Sequence, residues 1–113
     1  MIVRVSEAHV HDGLADEFLA LLRELVASFP ERYDGLLRHD VRVDLADPCR
    51  VQYVSEWADE AALVAYAGTE WLSQPVTFPD EERFLRRPLA LRHFVSRTPA
   101  VEQEEPDAAH PPR

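Results

Sequence analysis

Apolar residues fall at Leu14, Phe18, Leu21, Leu22, Leu25, Val26 and Phe29, a spacing of three and four that lays one stripe along a helix. Asp12 and Gly13 open this helix. Pro30 disfavours helical geometry at the residue before it, which predicts an end near Ser28. Elsewhere the period is two. Residues 2–10 read as a first strand. From Leu36 to Leu45, Leu37, His39, Val41, Val43 and Leu45 alternate with Arg38, Asp40, Arg42 and Asp44, the pattern of a half-buried strand at a sheet edge. Residues 46–49 form a turn, and Arg50 to Trp57 return as the hairpin partner. A second helix is predicted over 60–67. Asp59 is its N-cap, because the carboxylate can accept free first-turn amides, and Gly68 ends it. Residues 69–73 add a further helical turn. Residues 74–87, with Pro75, Pro79 and the adjoining Pro88 around a charged run, Asp80-Glu81-Glu82-Arg83, read as a solvated loop. Residues 89–95 supply the last strand.

The order is β-α-β-β-α-β, an α+β ferredoxin-like arrangement with a four-stranded antiparallel sheet in the order 4-1-3-2. Both helices cover one face of that sheet. The first and last strands carry apolar residues at both parities, Ile2 with Val3 and Val5, and Leu89 and Leu91 with Ala90 and Phe94. The second face is therefore expected to be buried by another copy of the chain, giving a homodimer. Residues 1–97 form one domain. Residues 98–113, rich in Pro, Glu and Ala, are expected to be a disordered tail.

A chain of 113 residues has room for a single core. The formal charge of −9 argues against nucleic acid and anionic membrane surfaces as partners. One cysteine, Cys49, cannot form an internal disulfide. There is no basic-then-apolar leader and no apolar run long enough to span a bilayer, so a cytoplasmic location is expected.

The block Val51-Gln-Tyr-Val-Ser-Glu-Trp57 followed by the helix Glu60-Ala-Ala-Leu-Val-Ala-Tyr66, with Asp34-Gly35-Leu36-Leu37 before the second strand and Gly13 at the first helix, resembles the antibiotic-biosynthesis-monooxygenase family. The resemblance covers Met1 to about Arg97. It implies a dimeric α+β barrel and, for most members, an oxygenase that needs no cofactor. Its site residues carry over incompletely. The histidine that relatives place nine residues after the tryptophan is Tyr66 here, and the one a turn later is Trp71. Of the set found in anthrone-oxidising members, Trp57 matches. Their asparagine falls on Tyr53, their tyrosine on Leu63 and their arginine near Thr77. The haem-degrading set falls on Ser6, Tyr66 and about Val76, which removes the axial histidine and with it that activity.

Strand parity leads to a site independently. If Trp57 faces the helices, then Ser55, Tyr53 and Val51 do as well, and His39 lies on the apolar face of the neighbouring strand. A cavity presenting Trp57, Tyr53, Ser55 and His39, with Tyr66 or Trp71 above, suits a flat phenolic or polyketide-like ligand. In that reading a phenol or anthrone loses a proton to a base and the resulting anion gives an electron to O₂. His39 is the candidate base, since imidazole accepts protons near neutrality. Trp57 is its catalytic partner, with Tyr53, Ser55, Tyr66 and Trp71 binding the ring. No cofactor or metal is called for, and there is no glycine-rich phosphate loop.

Plainer roles stand beside these. His39 also reads as a satisfied core histidine, and Trp57 and the tyrosines as packing residues. His9 and His11 have the spacing of a metal pair, but no further ligands accompany them. His39 and His93 fall on opposite edge strands. Two other functions fit the same pattern: a cyclase or isomerase using this cavity, and a non-catalytic dimeric binding module.

Overall fold

A computed structural model describes residues 1–97, and the tail expected from Thr98 lies outside the described residues. The elements are β1 (Ile2–His9), α1 (Ala15–Val26), α2 (Phe29–Arg32), β2 (Leu36–Val43), β3 (Arg50–Trp57), α3 (Glu60–Ala67), a 3₁₀ turn (Glu81–Phe84) and β4 (Ala90–Val95). All strand pairs are antiparallel, in the order β2-β3-β1-β4. This is the predicted ferredoxin-like α+β fold.

Helix α1 buries Phe18, Leu22 and Val26, one turn apart, against the sheet. Asp16 and Glu17 in its first turn and Arg23 in its last complement the helix dipole. Pro30 does more than stop this helix. It occupies the first turn of α2, where its missing N–H has no intrahelical partner to lose. Phe29, the end of the apolar stripe, thus belongs to α2 and is buried from there. The Asp59 carboxylate accepts the Ala62 N–H at 2.9 Å and so caps α3, which ends at Gly68 with φ of 89°. Gly35 lies where β2 meets α3. A Cβ there would sit 2.3 Å from that of Ala62, so only glycine lets strand and helix approach this closely.

Cross-strand pairing sorts the faces. Trp57, Ser55, Tyr53 and Val51 stand opposite Ile2, Arg4, Ser6 and Ala8, all on the helix side. His39 and Val41 extend this face on β2, opposite Ser55 and Tyr53. Two details of the expected β2 pattern are corrected. A bulge between Leu36 and Arg38 gives the inward place opposite Trp57 to Leu36 and leaves Leu37 exposed. Leu45 lies beyond the strand, fully in solvent.

The 68–89 connection departs most from expectation. It buries Phe78 and Phe84 against Phe18, with ring centroids 5.6 to 5.8 Å apart, and with them Glu81. Glu81 therefore does not belong to a solvated loop. Phe29, Tyr33, Tyr53, Tyr66 and Trp57 form a second aromatic cluster nearer the β2 edge.

Among the described residues no helix covers the other sheet face. Val3, Val5, Val54 and Phe94 lie along it, and Phe94 is half exposed. Beside them the buried Glu7 accepts hydrogen bonds from Gln52 at 2.7 Å, His9 at 3.1 Å and Arg50 at 3.3 Å. The Gln52 bond, with help from Arg50 and His9, holds its carboxyl below the ordinary range. Among the described residues no helix is long and apolar enough to cross a membrane.

Candidate functional site

Between the helix side of the sheet, α1 and the 68–89 connection lies a cavity of about 20 Å³, room for a water molecule. Phe18, Leu22, Leu25 and Val26 from α1, with Val51, Val76 and Leu89, make most of its wall apolar. The polar remainder is Arg4 and Ser6 of β1, Tyr53 of β3, Tyr66 of α3 and Glu81.

Of the residues expected here, Tyr53 and Tyr66 reach the cavity. His39 does not line it but touches it through one bond: its Nδ1 and the Tyr53 hydroxyl share a hydrogen bond of 2.8 Å. His39 itself is half-buried near the β2 edge, so this pair joins the cavity wall towards the outside of the sheet. Burial pushes the Tyr53 phenol well above its ordinary value, which keeps its hydroxyl protonated at neutral pH and able to pass a proton on.

Trp57, Ser55 and Trp71 lie off the cavity wall. Trp57 is completely buried, and its indole N–H donates to Ser55 Oγ at 2.9 Å, which occupies both groups. The Tyr66 ring stacks on the indole at 4.5 Å, lying between Trp57 and the cavity. Trp57 and Ser55 therefore support the wall rather than form it. Trp71 packs edge-on against His93 at 4.9 Å and offers the site only its carbonyl, to Arg4.

Two groups went unnoticed in the sequence. Arg4 is buried, and its guanidinium donates to the carbonyls of Trp71 at 2.6 Å and Gln74 at 2.7 Å and to His93 Nε2 at 3.1 Å. Burial, then the nearby Arg4 charge, lowers the His93 pKa, consistent with a neutral ring accepting that bond. Parity could have revealed Arg4, because it alternates with Ile2, Ser6 and Ala8. Glu81 is buried too. Its Oε1 accepts the Phe78 N–H at 3.1 Å, and burial pushes its carboxyl up to about 7. No local signal marks it, since its burial follows from the docking of Phe78 and Phe84.

His9 bonds Glu7 and His11 is exposed, so they do not act as a pair. Among the described residues no group of three or more His, Cys, Asp or Glu side chains is placed to hold a metal ion.

The sequence profile of the antibiotic biosynthesis monooxygenase family matches residues 1–73, from β1 through α3. No curated protein matches the sequence. Solved structures extend the likeness over more of the chain. A crystal structure of an antibiotic biosynthesis monooxygenase is 26% identical, with a TM-score of 0.67, covering 85% of this chain and 98% of that one. A protein from Pseudomonas aeruginosa is 24% identical, with a TM-score of 0.65 and coverage of 84% and 92%. A conserved protein from Methanosarcina mazei Go1 shares the fold at 20% identity, with a TM-score of 0.67 and coverage of 82% and 89%. The chain belongs to the antibiotic biosynthesis monooxygenase family.

Proposed function

We propose that the protein is a cofactor-independent monooxygenase that oxidises an aromatic, polyketide-like phenol or anthrone with O₂. The observation that carries this reading is the His39–Tyr53 pair, a base linked by one hydrogen bond to a hydroxyl on the wall of an apolar cavity. Tyr66 and Tyr53 supply aromatic surface for a ring, and Trp57, with Ser55 behind it, holds Tyr66 in place. In the reaction the substrate carbon loses its proton through Tyr53 to His39, and the anion passes electrons to O₂. One oxygen atom enters the ring and the other leaves as water, so a phenol becomes a quinone and an anthrone an anthraquinone. Trp71 has no contact with the ring in this scheme.

A ring is larger than the present cavity. Binding therefore requires the cavity to widen. The small cavity is also the observation that favours the second reading, a non-catalytic dimeric binding module. Oxygen uptake by the purified protein with a simple anthrone decides between them. Uptake above the uncatalysed rate is expected, and His39→Ala should lower it about a hundredfold, with Tyr53→Phe similar because it breaks the same path. Uptake no faster than without protein would overturn the oxygenase reading.

We also propose that the open sheet face joins a second copy, with Val3, Val5, Val54 and Phe94 at its centre. Sedimentation should give twice the mass of the 12.9 kDa chain, and a monomer at micromolar concentration would contradict it.

A further inference from the structure

We propose that the cavity takes its ligand as an oxyanion: the ionised hydroxyl of an acidic phenol or enol docks on the Arg4 guanidinium, and Glu81 holds the proton it gives up. This rests on the oxygenase reading for its choice of an aromatic ligand, and the two can fail separately.

Arg4 is 3% exposed, and among the described residues no carboxylate lies within ion-pair distance of it. Its hydrogen-bond partners are two backbone carbonyls and one imidazole, and its guanidinium lies 5.7 Å from the centre of the Tyr66 ring, none of them an anion. A guanidinium has five N–H donors, and these hydrogen bonds involve only Nη1 and Nη2. A buried cation without a counter-ion is costly, and an oxyanion in the cavity supplies one. Glu81 is equally buried and has no cation within ion-pair distance among the described residues. Among the described residues its carboxylate accepts a hydrogen bond only from the Phe78 backbone N–H, through Oε1.

Both groups line the same cavity without pairing with each other. Tyr66 stands in the field of both. After burial, which dominates, Arg4 pulls its pKa down, and Tyr33 and Glu81 push it up. The charged or titratable groups on the same cavity wall as Glu81 are Arg4 from β1, Tyr53 from β3 and Tyr66 from α3, and its own neighbour Glu82 disfavours its ionised form.

The proton count closes. A neutral phenol and ionised Glu81 become a phenolate on Arg4 and a protonated Glu81, with the net charge of the cavity unchanged. In the oxidation of a phenol to a quinone, the O–H proton goes to Glu81 and the C–H proton to Tyr53 and His39. These two hydrogens leave in the water formed from O₂. The site thereby selects rings whose oxidised carbon is conjugated with an acidic hydroxyl.

The test is calorimetric binding of 4-nitrophenol, a single ring that consumes no oxygen, to the full chain between about pH 8 and 9. There both the free phenol and Glu81 are largely ionised. Binding of the phenolate should then take up about one proton per site, seen as heat that depends on the buffer, and affinity should fall about tenfold per pH unit. In Glu81→Gln, which keeps an acceptor for the Phe78 N–H, proton uptake and pH dependence should vanish while binding remains. Arg4→Gln should weaken binding about ten- to a hundredfold. Arg4 also ties down Trp71 and Gln74, so Arg4→Lys serves as the folded comparison and should retain part of the affinity. Absent binding, absent proton uptake, or the same pH dependence in Glu81→Gln would each overturn the proposal. Nitrophenol binding with proton uptake in a protein that fails to oxidise anthrones would support the oxyanion site and sink the oxygenase reading. Anthrone oxidation with no proton uptake on binding would do the reverse.

Discussion

Replacing Trp57 by alanine is expected to destabilise the fold by about 3–5 kcal/mol, the range for emptying a buried aromatic site. The indole is completely buried at the end of β3, where three elements meet. Tyr66 of α3 stacks on it at 4.5 Å, Tyr33 lies edge-on at 6.1 Å, and Leu36 of β2 and Ile2 of β1 stand opposite it in the sheet. Removing it leaves a cavity that stiff β-strands cannot collapse, and it strands the Ser55 hydroxyl that accepts the indole N–H. Small domains are stable by only about 5–15 kcal/mol, so much of the total goes. Trp57→Phe keeps a ring against Tyr66 and should cost less. Urea unfolding measures both, and a loss below about 1 kcal/mol for Trp57→Ala would show that the stack bears little weight.

Between about pH 4.5 and 7 the stability of the protein should fall as pH rises, and Glu81→Gln should remove that slope. The Glu81 carboxyl moves from its ordinary 4.5 to about 7 in the fold, mainly through burial, with Glu82 adding to the shift and the Phe78 N–H opposing it. In this window the unfolded chain ionises Glu81 while the folded chain keeps it protonated. The folded state binds more protons, so raising the pH favours unfolding. The advantage of the protonated form is complete below 4.5 and is lost through about 7. It amounts to at most about 3 kcal/mol. Glu7 works the other way at lower pH: its depressed pKa contributes stability that is lost on acidification. Urea midpoints at about pH 5 and 8, at one protein concentration, should converge for Glu81→Gln and differ for the parent. Parallel profiles for the two proteins would contradict the burial of an ionisable Glu81.

The sheet and its helices were legible because each element carries a clean period and an identifiable stop. The α1 stripe, the Asp59 cap and the inward set Val51, Tyr53, Ser55 and Trp57 are all local patterns. The bulge was not legible. Leu36 and Leu37 are both apolar, so alternation fits either one inward, and only pairing with Trp57 decides. Inward direction also proved weaker than access to the cavity. Trp57 points inward as its parity requires, yet Tyr66, nine positions on, covers it. Glu81 was hidden for a different reason. It sits in a charged run whose burial is driven by Phe78 and Phe84 docking on Phe18, contacts some sixty residues distant in sequence that no local pattern encodes. Arg4 stood in plain parity with Ile2, Ser6 and Ala8 and was the one overlooked site residue the pattern could have supplied.

The central claim is that this cavity passes oxygen from O₂ to an aromatic carbon. Isotopic labelling tests it most directly: the purified protein, with no added cofactor, turns over an anthrone under ¹⁸O₂, and the product is weighed by mass spectrometry. The account predicts protein-dependent product carrying one labelled oxygen, with the second labelled atom in water. Product that forms no faster than without protein, or that takes its new oxygen from solvent, would contradict it.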